Sequence, residues 1–174
     1  KDKSQKETLT KNEIEFVKKE LQKFKINPDF KENLDLSENL KNLNKQLSKV
    51  RIEIIKKDKS KNIVKDKKIG NILIREQILK DFPPKELRKV IDEGKKDIKS
   101  GIVISISIFE DKVGLAVGVS KDLTSKYDAV VLAKAASVVL GGKGGGGRKD
   151  FAQAGGVDKS KIEEAFKEIS KKIN

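Results

Sequence analysis

The segment Gly141-Gly142-Lys143-Gly144-Gly145-Gly146-Gly147-Arg148 is where the residues of this chain come closest to chemistry. Glycines without Cβ atoms let backbone N–H groups approach a phosphate or a ribose directly, and Lys143, Arg148 and Lys149 put positive charge beside them. The segment formally contains G-x-G-x-x-G at Gly142, Gly144 and Gly147. A dinucleotide fingerprint runs strand, turn, helix, whereas here a helix is expected before the glycines and a short strand after them. A Walker A loop would end in Lys-Ser or Lys-Thr, which is absent. Two readings stand: a flexible connector, or a close-approach loop at a ligand surface. The second fits better, because regular elements run up to both ends of the run, which a pure linker seldom allows.

Residue types exclude much else. The 174 residues contain no His and no Cys. Zinc sites of the Cys/His type, cysteine nucleophiles and Ser-His-Asp triads are therefore ruled out, and so is any disulfide. Carboxylates form no cluster suited to a metal: Glu110-Asp111 falls at an expected hairpin tip, Asp92-Glu93 on the outer side of a helix, and Glu163-Glu164 at a helix start, where the dipole favours negative charge. Ser105 and Ser107 read as a half-solvated sheet face, with no base to activate them. No catalytic residue, metal site or cofactor is expected in this stretch.

Charge points outward. Forty Lys+Arg against 27 Asp+Glu leave a net charge of +13, spread along the chain and carried almost wholly by lysine, with only Arg51, Arg75, Arg88 and Arg148 as arginines. That balance suits a nucleic-acid partner or a merely solvated basic surface. The most apolar stretch, Gly101 to Ser120, is broken by Glu110, Asp111 and Lys112, and the N-terminal KDKSQKETLT has no apolar h-region. A soluble, cytoplasmic chain with no membrane partner is expected. Its first residue is Lys, which suggests a piece of a longer protein.

The elements that would position the glycine run follow from periodicity. Residues 1–62 read as an antiparallel, coiled-coil-like helical hairpin. Thr10 is expected to cap the first helix in a capping box with Glu13, and Ile14, Val17, Leu21 and Phe24 line its seam up to a stop near Ile26, before Asn27-Pro28-Asp29. Leu36, Leu40, Leu43, Leu47, Val50 and Ile54 form a heptad seam on the second helix. Residues 63–174 read as a small mixed α/β domain, making the whole chain α+β. The Lys-rich stretch Lys56–Lys68 leads to a strand within Ile69–Leu79. A helix opened by Pro83-Pro84 follows, then a β-hairpin Ile102–Phe109 and Lys112–Val119 with Ile102, Ile104, Ile106 and Ile108 on one face. A small-residue helix Tyr127–Leu140, the glycine loop, a strand Phe151–Ala154 and a last helix capped by Ser160 complete the domain.

Val117-Gly118-Val119-Ser120-Lys121-Asp122-Leu123-Thr124, the glycine run, and Gly147-Arg148-Lys149-Asp150-Phe151-Ala152-Gln153-Ala154-Gly155-Gly156 together resemble the C-terminal C-Ala domain of bacterial-type alanyl-tRNA synthetases. The family pattern is a Val-Ser-Lys-Asp stretch followed by Gly-Gly-x-Gly-Gly-Gly-Arg-x-Asp-Met-Ala-Gln-Ala-Gly-Gly. This chain has Phe151 where Met is usual, Lys149 where Pro is frequent, and an extra glycine. The hairpin ahead of it is similar to the stalk that precedes C-Ala.

The resemblance implies a non-catalytic part of an alanine–tRNA ligase that binds the outer corner of tRNA, where the D and T loops meet. It supports aminoacylation and editing by other domains of the same protein, which are partners, as a second copy in a homodimer would be. ATP, magnesium and zinc serve the full-length ligases but not this stretch. Lys121, Lys143, Gly144, Gly145, Gly146, Gly147, Arg148, Lys149 and Gln153 are the candidate RNA-binding residues, while Asp150 and Gln153 can also hold the loop. Two alternatives stay open: an accessory domain of a DHH-family phosphoesterase, whose loop resembles Gly-Gly-Gly-His, and a pure dimerisation module.

Overall fold

The computed structural model describes residues 3–57 and 62–173, and the chain divides into two compact units, Lys1–Lys57 and Asp58–Asn174. The first unit is a helical hairpin of α1 (Lys3–Lys23) and α2 (Leu36–Lys57). Ile14, Val17 and Leu21 pack on Leu43 and Leu47, all buried, with Phe24, Leu36, Leu40 and Val50 partly buried around them. Both predicted seams are thus the ones that meet.

The caps differ from expectation. Helix α1 runs straight through Thr10, whose hydroxyl donates to the Lys6 carbonyl, because Lys, Gln and Glu upstream are good helix formers and nothing there breaks the turn. The helix ends in a Schellman arrangement: Ile26 N–H donates to the Leu21 carbonyl and Lys25 N–H to Gln22, with Lys25 at φ 60. The connection to α2 is held by two amides from α2. Asn39, fully buried, accepts from Lys31 N–H and donates to the carbonyls of Lys31 and Leu34. Gln46 accepts from Asp29 N–H and donates to the Asn27 carbonyl. Asp35 caps α2 by accepting from Glu38 N–H at 2.8 Å.

The second unit is built on a six-stranded sheet. Its strands are β1 (Asn62–Ile69), β2 (Ile72–Lys80), β3 (Ile102–Phe109), β4 (Lys112–Val119), β5 (Gly145–Gly147) and β6 (Phe151–Gly156), in the order β1-β2-β3-β4-β6-β5. Only β2 and β3 are parallel, and α3 (Leu87–Ile98) makes the crossover between them. Helices α4 (Ala129–Val139) and α5 (Ile162–Lys171) cover the opposite face, where Ile102, Ile104, Ile106, Leu115 and Val117 meet Leu132, Ala133, Ala136, Ala165, Phe166 and Ile169. Glu110 and Asp111 turn the β3–β4 hairpin with positive φ at both residues (49 and 62), the signature of a type I′ turn.

Four sequence expectations change here. Part of the Lys-rich stretch is strand β1: residues 58–61 lie outside the described residues, but Asn62–Ile69 pairs with β2 over eight residues, with Gly70-Asn71 between them. Ser105 and Ser107 are fully buried and not half-solvated, because α3 lies over their face: Gly94 abuts Val103, and Ile91 abuts Gly118. Asp158, not Ser160, caps the turn before α5, accepting from Ser160 N–H. Finally, Gly145–Gly147 is not loop but strand, paired with β6.

Candidate nucleic-acid interface

At the carboxyl end of β4 the chain enters a short helical turn, Lys121–Leu123, leaving Lys121 exposed. Beside it, β5 and β6 are joined by the tight turn Lys149-Asp150, across which Arg148 and Phe151 exchange backbone hydrogen bonds of 2.7 and 3.2 Å. The turn is pinned from two sides. The Asp150 carbonyl accepts from Val119 N–H, and the Lys149 carbonyl from Ala129 N–H at the start of α4, both at 2.9 Å. Arg148 and Lys149 therefore project from a fixed backbone; the Arg148 side chain is 67% exposed and lies 3.5 Å from the Asp150 carboxylate.

The glycine composition of β5 has a steric cause. A Cβ on Gly145 would stand 1.9 Å from the Gln153 carbonyl oxygen, and one on Gly147 would stand 2.3 Å from that of Phe151. Gly146 has nothing within 4 Å of its Cβ position. Close approach is thus made chiefly to the neighbouring strand β6. All three residues are nevertheless exposed, and β5 is the outermost strand of the sheet, so its outer backbone edge faces solvent.

Two cations that sequence reasoning missed converge on the same turn from α3. The Lys95 stem crosses Gly118 of β4, where an added Cβ would come within 2.7 Å of Cε, and its Nζ donates to the Asp150 carbonyl at 2.7 Å. The Arg88 guanidinium covers the Phe151 ring at 4.8 Å from its centroid. Burial pushes the Lys95 ammonium below the usual lysine range; Asp150 and Asp92 pull it back up, while Arg88 and Arg148 press it down further. No local pattern could reveal these contacts, because Lys95 and Asp150 are 55 residues apart.

The structure brings Arg148, Lys149 and the glycine strand together, with Lys121 following β4. It separates Lys143 and Gly144 from Arg148: they lie at the other end of β5, where Gly144 N–H donates to Ser137 Oγ. The Gln153 amide donates to the Pro84 carbonyl at 3.2 Å, on the α3 side of β6. The Asp150 carboxylate faces Arg148, while its carbonyl accepts from Val119 N–H. Among the described residues no group of three or more carboxylates is placed to hold a metal ion, and no helix is long and apolar enough to cross a membrane.

An alanine–tRNA ligase of Parvibaculum lavamentivorans is 49% identical over 98 residues, covering 56% of this chain and 11% of the ligase. That of Hyphomonas neptunium is 52% identical over 85 residues, covering 49% and 10%. The chain thus spans about a tenth of the length of these curated relatives. The crystal structure of the C-Ala domain from Aquifex aeolicus alanyl-tRNA synthetase superposes with a TM-score of 0.59 at 32% identity, over 63% of this chain and 97% of that one. A DHH-domain protein described as a member of a ribosomal-protein family shares the fold, with a TM-score of 0.50 at 15% identity over 78% of this chain and 33% of that one. Residues 70–174 match the DHHA1 domain family, so the chain belongs to that family and, within it, to the C-Ala domains of alanyl-tRNA synthetases.

Proposed function

We propose that this C-Ala domain binds tRNA at its outer corner, where the D and T loops meet, and so presents one tRNA to aminoacylation and editing domains of the same ligase, in the cytoplasm. The observation that carries this reading is the pinned turn, which holds Arg148 and Lys149 beside an exposed, side-chain-free strand edge. RNA corners are recognised by shape, phosphate and 2′-OH contacts, and such an edge offers backbone donors and acceptors that a ribose or phosphate can reach. Lys121, Gly145, Gly146, Gly147, Arg148 and Lys149 make the contacts in this reading, with Lys143 and Gly144 as a second cluster beyond β5. ATP, magnesium and zinc belong to the rest of the ligase; this chain has no His or Cys with which to hold zinc.

In fluorescence titrations the chain is expected to prefer tRNA over an unstructured RNA of equal length, and to show no aminoacylation or deacylation alone. Arg148→Ala with Lys149→Ala should flatten the plot of log affinity against log salt by about 0.7–0.9 for each phosphate no longer neutralised. Equal affinity for both RNAs would defeat shape recognition.

A homodimer is supported by a separate observation. Leu9 and Phe16, one heptad apart on α1, are 62% and 55% exposed, outside the hairpin seam. Phe16→Glu is expected to leave the helix content intact and to reduce the mass seen by light scattering. A parent mass already equal to one chain would remove this reading.

A further inference from the structure

Lys95 and Arg88 do more than pack α3 on the sheet. The Lys95 ammonium carries three N–H donors but, among the described residues, makes one hydrogen bond, to the Asp150 carbonyl. The Arg88 guanidinium lies over the Phe151 ring and makes neither an ion pair nor a hydrogen bond with the described residues, so its N–H fork is unspent. Arg148 shares the neighbourhood, held at 3.5 Å by Asp150. The carboxylates in reach are Asp150, already engaged with Arg148, and Asp92, exposed on α3. Three cations against these two leave the cluster positive, and Lys149 beside it adds to the excess. Glycine at 118 leaves room for the Lys95 stem: an added Cβ there would meet Ile91 Cγ2 at 2.3 Å and Lys95 Cε at 2.7 Å.

A half-buried ammonium with spare donors, flanked by two guanidiniums, is chemistry for an anion with several acceptor oxygens. We infer that Lys95, Arg88 and Arg148 together form a phosphate-binding site on the α3 side of the β5–β6 turn, which holds a phosphate group of a polynucleotide backbone. This rests on the RNA reading above and extends its surface from the sheet edge onto α3. Arg88 supplies a planar two-pronged donor, Lys95 a point charge at the floor, and Arg148 closes the exposed side. A free phosphate offers the same oxygens, so the two sources must be separated by experiment.

The test uses the whole chain and lysine side-chain NMR near neutral pH, with the Lys95 ammonium signal assigned by its loss in Lys95→Arg. The signal is expected to shift and to exchange more slowly when tRNA is added. A response to tRNA but not to inorganic phosphate identifies a polynucleotide site. A response to inorganic phosphate when tRNA does not bind at all leaves the phosphate site standing while the RNA reading falls. If tRNA binds and moves Lys149 but not Lys95, the proposal is overturned and the RNA reading survives. Silence of Lys95 towards both ligands overturns it as well.

Arg88→Gln provides a second measure, since Arg88 is exposed and no carboxylate among the described residues depends on it. The salt slope of tRNA binding should fall by about 0.7–0.9 while the chain stays folded, with only the small loss in melting temperature that an exposed cation–π contact represents. Arg88→Lys should restore the slope in part, which a purely structural role would not produce.

Discussion

Replacing Leu43 and Leu47 together by Asp collapses the helical hairpin and leaves the sheet domain folded. Both leucines are essentially inaccessible and pack with Ile14, Val17 and Leu21, so a carboxylate at either position would be set among aliphatic side chains. Burying one unpaired carboxylate costs several kcal/mol, and two such costs exceed what a two-helix unit of this size can hold. Because α1 and α2 contain more than half of the described α-helical residues, circular dichroism should lose about that share of its helical signal. The second unit has its own core around Ile104, Leu115 and Phe166, and its melting transition should persist. A variant with unchanged helix content would mean that the leucine seam does not hold the hairpin.

The glycine strand predicts opposite outcomes at adjacent positions. Gly145→Val drives a side chain into the Gln153 carbonyl and Ala154, so β5 should detach from β6. Arg148 and Lys149 then lose one side of their fixed backbone, and tRNA affinity should drop by about tenfold or more, equivalent to about 1.4 kcal/mol. Gly146→Val meets open space and a β-branched residue suits a strand, so the fold and its melting temperature should be kept. Any loss of affinity at Gly146 then reports contact with RNA at the strand surface. Amide exchange across β6, read together with the titrations, separates the two effects. Equal protection of β6 in both variants would contradict the steric account.

Much of this architecture is legible in sequence because its signals are local. The seams of α1 and α2 and the alternating isoleucines of β3 all repeat at short spacing. Strand β1 is not legible in the same way: only Ile63, Val64 and Ile69 are apolar in NIVKDKKI, and its central residues are exposed. It is a strand because β2 offers a partner along its whole length and because Arg75 grips Asp66 through two hydrogen bonds of 2.8 and 3.0 Å. Propensity is overridden by pairing there, as it is in β5, where glycine alone would never indicate a strand. The buried Ser105 failed for a related reason. Its Oγ donates to Gln77 on the neighbouring strand, a satisfied polar contact beneath α3 that resembles a solvated face when only alternation is visible. At the interface, the cations on the glycine turn could be read from the chain, whereas Arg88 and Lys95 arrive through a crossover that no local pattern encodes.

The two outer edges of the sheet are protected by opposite means. On β1, Lys65 and Lys68 lie exposed along an eight-residue edge, and their like charges discourage another strand from lying alongside, even though Ile63 and Val64 are 42% and 44% exposed. On β5 no side chain guards anything. Its protection is brevity: Gly144 at φ 95 ends the extended run on one side and the Arg148 turn ends it on the other, leaving three residues of edge. Three residues are too few to seed lateral growth of the sheet. One margin of this domain therefore resists self-association by repulsion and the other by shortness, so added salt, which screens charge but does not lengthen a strand, should loosen the first safeguard while leaving the second untouched.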